Sequence, residues 1–153
     1  MTVTLEPMPA DRRTAWLDRS RSEYIESRQK AGETLGQATA NADRSFKTYF
    51  PQGVPAAGQH VFDVVADGAP VGILWIGVMD SASNDWWVFD VEISESERGR
   101  GYGRAAMELA ETTAQELGAA SIGLNVFGYN TIARKLYESL GYETTSVQMK
   151  KGL

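Results

Sequence analysis

The tightest constraint on the fold lies between residues 86 and 127. WWVFDVEI (86–93) has the length and the β-branched and aromatic content of a strand. Ala106, Leu109, Ala110, Thr113 and Leu117 then recur at helical spacing up to Gly118, and SIGLNVF (121–127) is strand-like again. A strand, a helix and a strand joined in this way form a crossover unit whose two strands run parallel and lie close together. Between the first strand and the helix stands ERGRGYGR (97–104), in which Gly99, Gly101 and Gly103 alternate with Arg98, Arg100, Tyr102 and Arg104. A fold for this chain must therefore put its densest positive charge and its most permissive backbone at the mouth of a helix.

The rest of the chain builds outward from this unit. Residues 11–50 are polar and rich in helix formers. Trp16, Leu17, Tyr24 and Ile25 suggest one irregular helix, Ala42, Phe46 and Tyr49 a second, and Gly32 divides them. After the loop PQGVPAAG (51–58), HVFDVVA (60–66) turns through Asp67-Gly68 into VGILWIGVM (71–79), and DSASND (80–85) leads to the strand at 86. These three strands predict an antiparallel meander. Downstream, Asn130 can cap a helix with the apolar stripe Ile132, Ala133, Leu136, Tyr137 and Leu140, and a last strand is expected over about 143–149. The predicted class is α/β with a mixed sheet: an antiparallel N-terminal meander, a parallel strand–helix–strand unit, and helices on both faces. Its 153 residues suit one domain, 1–153.

Composition narrows the function. With no cysteine there is no disulfide framework, thiolate metal site or cysteine nucleophile, and no metal is expected. The start, MTVTLEPMPADRR, lacks the basic head and apolar stretch of a signal peptide, and VGILWIGVM is too short to cross a membrane. The expectation is a cytoplasmic protein without a membrane partner. A net charge of −5 argues against nucleic acid as a partner, so the local arginines point to one anion bound at one place.

A helix N-terminus offers backbone N–H groups without intrahelical partners, together with a partial positive charge. Glycines let a phosphate oxygen approach those amides, and arginines add charge-assisted hydrogen bonds. The loop therefore suits a phosphate or diphosphate. GxxxxGK[ST] is absent, which excludes a P-loop. Residues 101–106 read GxGxxA, as a dinucleotide site would, but Gly101 lies eight positions beyond Ile93 and Asn125 stands where an acid belongs. The plain alternative is a tight turn with solvated arginines.

A second motif changes the balance. Arg98 to Gly103 fits R/Q-x-x-G-x-G/A, and Asn130-Thr-Ile-Ala133-Arg-Lys-Leu136-Tyr137-Glu-Ser-Leu-Gly141-Tyr142 follows. The two in this order, from about Trp86 to Tyr142, resemble the GNAT superfamily of acyl-CoA-dependent N-acyltransferases; PQG…H ahead of the second strand is similar to some bacterial members. The resemblance implies a GNAT-like fold and acetyl-CoA as acyl donor, with the amides of Arg98, Gly99, Arg100, Gly101, Tyr102, Gly103 and Arg104 holding the CoA diphosphate. It implies a splayed strand whose backbone at Val91 and Ile93 meets pantetheine, a cofactor contact from Asn130, and Tyr137 protonating the departing thiolate. The implied activity moves an acetyl group to a primary amine of a small molecule or peptide. A non-catalytic CoA-binding or sensory module and a dinucleotide-binding module are the alternatives. Members are often dimers, so a homodimer is within the resemblance.

An attacking amine must be neutral, yet at a pKa of about 10.4 it is almost wholly protonated at pH 7. A carboxylate can take that proton. Alternation along WWVFDVEI puts Trp86, Val88, Asp90 and Glu92 on one face and Trp87, Phe89, Val91 and Ile93 on the other. Glu92 is the first candidate for base or ammonium ligand, Asp90 the second and His60 the third. Tyr137 also fits a core role on its apolar stripe, and Trp16, Tyr49, Phe50 and Trp86 could line an acceptor pocket or simply pack the core.

Overall fold

A computed structural model describes residues 2–153. Its elements are β1 (Val3–Pro7), α1 (Ala10–Lys30), α2 (Leu35–Tyr49), β2 (Gln59–Ala66), β3 (Ala69–Asp80), β4 (Asp85–Ile93), α3 (Tyr102–Glu116), β5 (Ser121–Leu124) and α4 (Thr131–Ser139). The sheet runs β1-β2-β3-β4-β5, antiparallel throughout except for the parallel pair β4–β5. This is the expected mixed architecture. No helix among the described residues is long and apolar enough to cross a membrane.

Each face of the sheet has its own core. Toward α3, Val64, Leu74, Ile76 and Met107 are fully buried, and Val88, Trp86 and Ala106 pack with them. Burial of each large aliphatic side chain contributes about 1.5–3 kcal/mol. Toward α1 and α2 the core is aromatic. Trp75 stacks on Phe89 at 4.5 Å and meets Phe50 edge-on at 4.8 Å, with Trp16, Phe46 and Tyr49 around them. Trp16, Tyr49 and Phe50 thus serve as packing, and Trp86 does so on the other face. The Trp75 indole donates to Gln59 Oε1 at 3.0 Å, and Gln59 Nε2 donates to the Val78 carbonyl at 3.1 Å. That side chain fills the space above Gly77, where a Cβ would come within 2.1 Å of it.

Local chemistry explains the joints. Thr34 and Gln37 form a reciprocal capping box at the start of α2, which separates it from α1. Asp67 and Gly68 both take positive φ, as a two-residue hairpin with the twist of its strands requires. Arg12 on α1 is ion-paired with the buried Asp63 of β2, tying the first helix to the sheet.

Four features depart from expectation. β1 has no counterpart in the sequence reading, although VTLEP alternates: Val3 and Leu5 pack toward α3, and the strand pairs with β2 from Val3↔Ala66 to Pro7↔Phe62. The expected last strand over 143–149 is not formed; Val147 and Met149 are exposed, and Lys150 instead donates to the Gly32 carbonyl at 3.0 Å. Only the first four residues of SIGLNVF join the sheet, so β5 offers a short edge for any further strand. On α4, Ile132 lies outside the buried stripe and is 85% exposed.

Candidate active site

The middle of β4 carries a bulge. Trp75 of β3 faces Asp90 while its neighbour Ile76 faces Val88, leaving Phe89 as an extra residue. The bulge inverts the alternation expected for this strand. Trp86 and Val88 face α3, and beyond the bulge Val91 and Ile93 join that face. Asp90 and Glu92 instead lie opposite Trp75 and Ile73, on the side of α1 and α2. The two carboxylates still share a face, but not with Trp86 and Val88. Simple period-two counting fails because one inserted residue shifts everything after it.

Pairing on the other edge of β4 stops at the same point. β4 pairs with β5 only from Asp85↔Ser121 to Val88↔Leu124. From Phe89 to Ile93, β4 has a ladder on its β3 side alone. The backbone of Val91 and Ile93 is thus left without a strand partner on its β5 side. Gly72 guards the other side of this segment, since a Cβ there would lie 2.2 Å from the Glu92 carbonyl oxygen and 2.9 Å from Ile93 Cδ1. Gly72→Ala must push β4 away, and such overpacking costs about 1–3 kcal/mol. The variant is expected to melt lower and to lose turnover beyond its loss of folded protein, measured as kcat per folded molecule.

At the far end of β4, Gly99 and Gly101 have φ of 78° and 86°, a region other residues enter at a cost. A Cβ at either would project into open space, the space a bound anion would need. Gly101 is the N-cap of α3 and has no side chain to satisfy the first amides; the first helical bond runs from Ala105 N–H to Gly101 O, at 3.1 Å. The N–H groups of Tyr102, Gly103 and Arg104 are thus left without helical partners. Arg98 Nε donates to the Ile93 carbonyl at 3.0 Å, Arg100 pairs with Glu97 at 3.2 Å, and Arg104 donates to Ser139 Oγ at 2.7 Å. Arg98 ties the loop to the end of β4, and Arg104 ties it to α4. The uncapped amides, the open glycine faces and the charge fit a CoA diphosphate.

α4 packs on the α3 side of the sheet through Tyr137. Asn130 caps it, accepting from Ala133 N–H at 3.3 Å. Tyr137 packs against the α3-side core and meets Tyr142 edge-on at 6.0 Å. Burial, and then the nearby charge of Asp90, raise the Tyr137 phenol above its ordinary value, so it holds its proton. Asp90 is partly buried and sits beside Glu92 and Glu23. Burial first, then the Glu92 carboxylate, raise Asp90 well above the usual aspartate range, with Arg19 opposing. Glu23 of α1 is also raised, by burial and by Glu92. Arg19 reaches Glu23 at 3.6 Å and Glu92 at 3.5 Å.

The structure therefore places Val91, Ile93 and Tyr137 on the α3 side of β4 and Asp90 and Glu92 on the α1 side, with Asp90 close enough to Tyr137 to act on it electrostatically. His60 lies half-buried with its ring nearly parallel to those of Phe62 and Trp86, on the α3 side of the sheet. Sequence reasoning missed Arg19, Glu23 and Gly72. Arg19 and Glu23 show only the i,i+4 spacing of any solvated helical pair, and nothing local marks Gly72.

Comparison with known proteins identifies the family. The model of the acetyltransferase (GNAT) family matches residues 13–142, and the chain belongs to that family. It is 30% identical to the uncharacterized N-acetyltransferase YycN of Bacillus subtilis over the full length of both chains, and the YycN crystal structure superposes with a TM-score of 0.89, covering 99% of each. The uncharacterized N-acetyltransferase YdgE of the same organism is 26% identical, covering 100% of this chain and 99% of its own. The aminoglycoside N-acetyltransferase AAC(6′)-Iy, solved in complex with CoA, shares the fold at 16% identity and a TM-score of 0.58, covering 99% of this chain and 95% of that one. The protein is an acyltransferase of GNAT fold.

Proposed function

We propose that the protein transfers an acetyl group from acetyl-CoA to a primary amine. One observation carries the reading within this family: the amides of 102–104 have no cap, and β4 beyond Val88 has no partner on its β5 side. Bound acetyl-CoA would supply an activated acyl thioester. The loop amides and arginines would hold its diphosphate, and Asn130 would add a contact. Backbone groups of Val91 and Ile93 would align its arm along β4, and N–H groups aimed at the reacting carbonyl are worth several kcal/mol at about 2.7–4 each.

Asp90 takes the proton from the incoming amine. Its raised affinity for a proton narrows the gap to an ammonium donor, and it lies on the Tyr137 side of the carboxylate group. Glu92, first in the sequence reading, engages Arg19 and serves the acceptor's approach. Tyr137, held protonated, donates to the sulfur as the thiol leaves. The fold neighbour bound to CoA supports the choice of donor.

The test is release of free thiol from acetyl-CoA against a panel of primary amines. Amine-dependent release with formation of the acetylated amine supports the reading. Tight CoA binding without turnover of any amine would make the protein a CoA-binding module instead.

A further inference from the structure

α4 is nine residues long, and no residue of it is fully buried. Tyr137 and, just past the helix, Leu140 lean on the α3-side core, while Ile132 stands out in solvent. A helix held by so few buried contacts opens easily on its own. Among the described residues, one hydrogen bond joins it to another helix or strand: Arg104 of α3 donates to Ser139 Oγ at 2.7 Å. Ser139 gives its own proton to the Leu136 carbonyl at 2.6 Å, which leaves its oxygen free to accept from the guanidinium.

The same corner is packed. A Cβ on Gly103 would lie 3.6 Å from Leu136 Cδ2 and 4.0 Å from Ile93 Cγ1, so the first turn of α3, the middle of α4 and the end of β4 meet at one residue. Leu136 and Ser139 lie three apart, on neighbouring positions of one helix face, with Tyr137 between them in the chain. Arg104 faces two ways here. Its backbone N–H is one of those that α3 leaves without a helical partner, while its side chain reaches across to α4. Arg98 and Arg100 instead engage the Ile93 carbonyl and Glu97, away from α4.

We propose that Arg104 and Ser139 form a latch that positions Tyr137, by holding α4 against the uncapped start of α3. Both are positioning residues, and neither touches the reacting atoms. A donor anchored by its diphosphate on the amides of 102–104 would then meet a phenol held from the same turn of α3. This rests on the acyl-transfer reading for the role of Tyr137, but the latch itself is a property of the fold and can be tested without turnover. Because both side chains are exposed, their bond governs where α4 sits and adds little to the stability of the whole chain.

The experiment combines kinetics with amide hydrogen exchange for the wild type, Ser139→Ala, Ser139→Thr, Arg104→Gln, Tyr137→Phe and the double variant Ser139→Ala/Tyr137→Phe. Ser139→Ala should lower kcat by about tenfold, short of the roughly 10²-fold that a 1 Å misplacement can bring. CoA affinity by calorimetry should stay that of the wild type, because the loop amides are untouched. Ser139→Thr keeps the hydroxyl and should recover most of kcat. In the Tyr137→Phe background Ser139→Ala should cost nothing further, since residues that act as a unit are not additive. Exchange across 131–139 should quicken in Ser139→Ala and in Arg104→Gln, with 106–116 unchanged. Wild-type kcat in Ser139→Ala, the same fractional loss with and without the Tyr137 hydroxyl, or unaltered α4 exchange in Arg104→Gln would each overturn the proposal. A wild type that acetylates no amine, with quickened α4 exchange in both variants, would instead overturn the acyl-transfer reading and leave the latch standing.

Discussion

Tyr137→Phe lowers kcat by about 10²–10⁴-fold, the range for loss of a positioned general acid, and leaves CoA affinity unchanged. The expectation follows from what the substitution removes. The ring stays, with its packing against the α3-side core and its edge contact to Tyr142, so the fold keeps its shape. Only the hydroxyl is lost, and that hydroxyl holds its proton because burial and the Asp90 charge both disfavour the phenolate. A departing thiolate then lacks a donor. The check is kcat with one amine at saturating acetyl-CoA, beside CoA affinity by calorimetry. Unchanged kcat would return Tyr137 to the plain core role that its place on the α4 stripe also allows.

Asp90→Asn is expected to act in opposite directions on activity and stability. The carboxyl is raised mainly by burial, then by Glu92, with Glu23 adding and Arg19 opposing. The folded state therefore binds the Asp90 proton more tightly than the unfolded chain does. Below the ordinary aspartate range both states are protonated and the residue costs nothing by this route. As pH rises through that range toward the raised folded-state value, the unfolded chain releases its proton first and the native state loses stability. An asparagine carries no such penalty, so at pH 8 the variant should melt higher than wild type, with the difference vanishing near pH 3. Turnover should fall, and the rise of kcat/KM with pH that reflects Asp90 ionisation should disappear. The groups facing it are Glu92, Glu23, Arg19 and Tyr137, so Glu92→Gln should move that rise to lower pH by removing a like charge. A variant that melts lower at pH 8 would contradict the account of a strained carboxylate poised for function.

The sequence carried the frame of this fold because its signals there are local. The periodicity change at the glycine loop, the Asp67-Gly68 turn, and the cap at Asn130 each depend on a few adjacent residues, and each appears where expected. The uncapped start of α3 was legible for the same reason, since the glycines at 99 and 101 belong to one short stretch. The face of Asp90 was misread because a bulge is set by pairing with β3, not by the strand's own pattern. β1 is only five residues long and finds its place through β2. The strand expected over 143–149 had suitable alternation but no long edge to join. Arg19 and Glu23 enter the site only because α1 crosses that face of the sheet, a tertiary fact with no local signature.

The most direct test of the central claim is thermal unfolding with acetyl-CoA, CoA, NAD and ATP side by side. A ligand at a hundredfold its Kd stabilises the native state by about 2.7 kcal/mol, which for a chain of this length raises Tm by about 5–10 °C. The account predicts that rise with acetyl-CoA and CoA, and none with NAD or ATP. A rise with NAD and no response to either CoA species would contradict it, and with it every role assigned to the 98–104 loop.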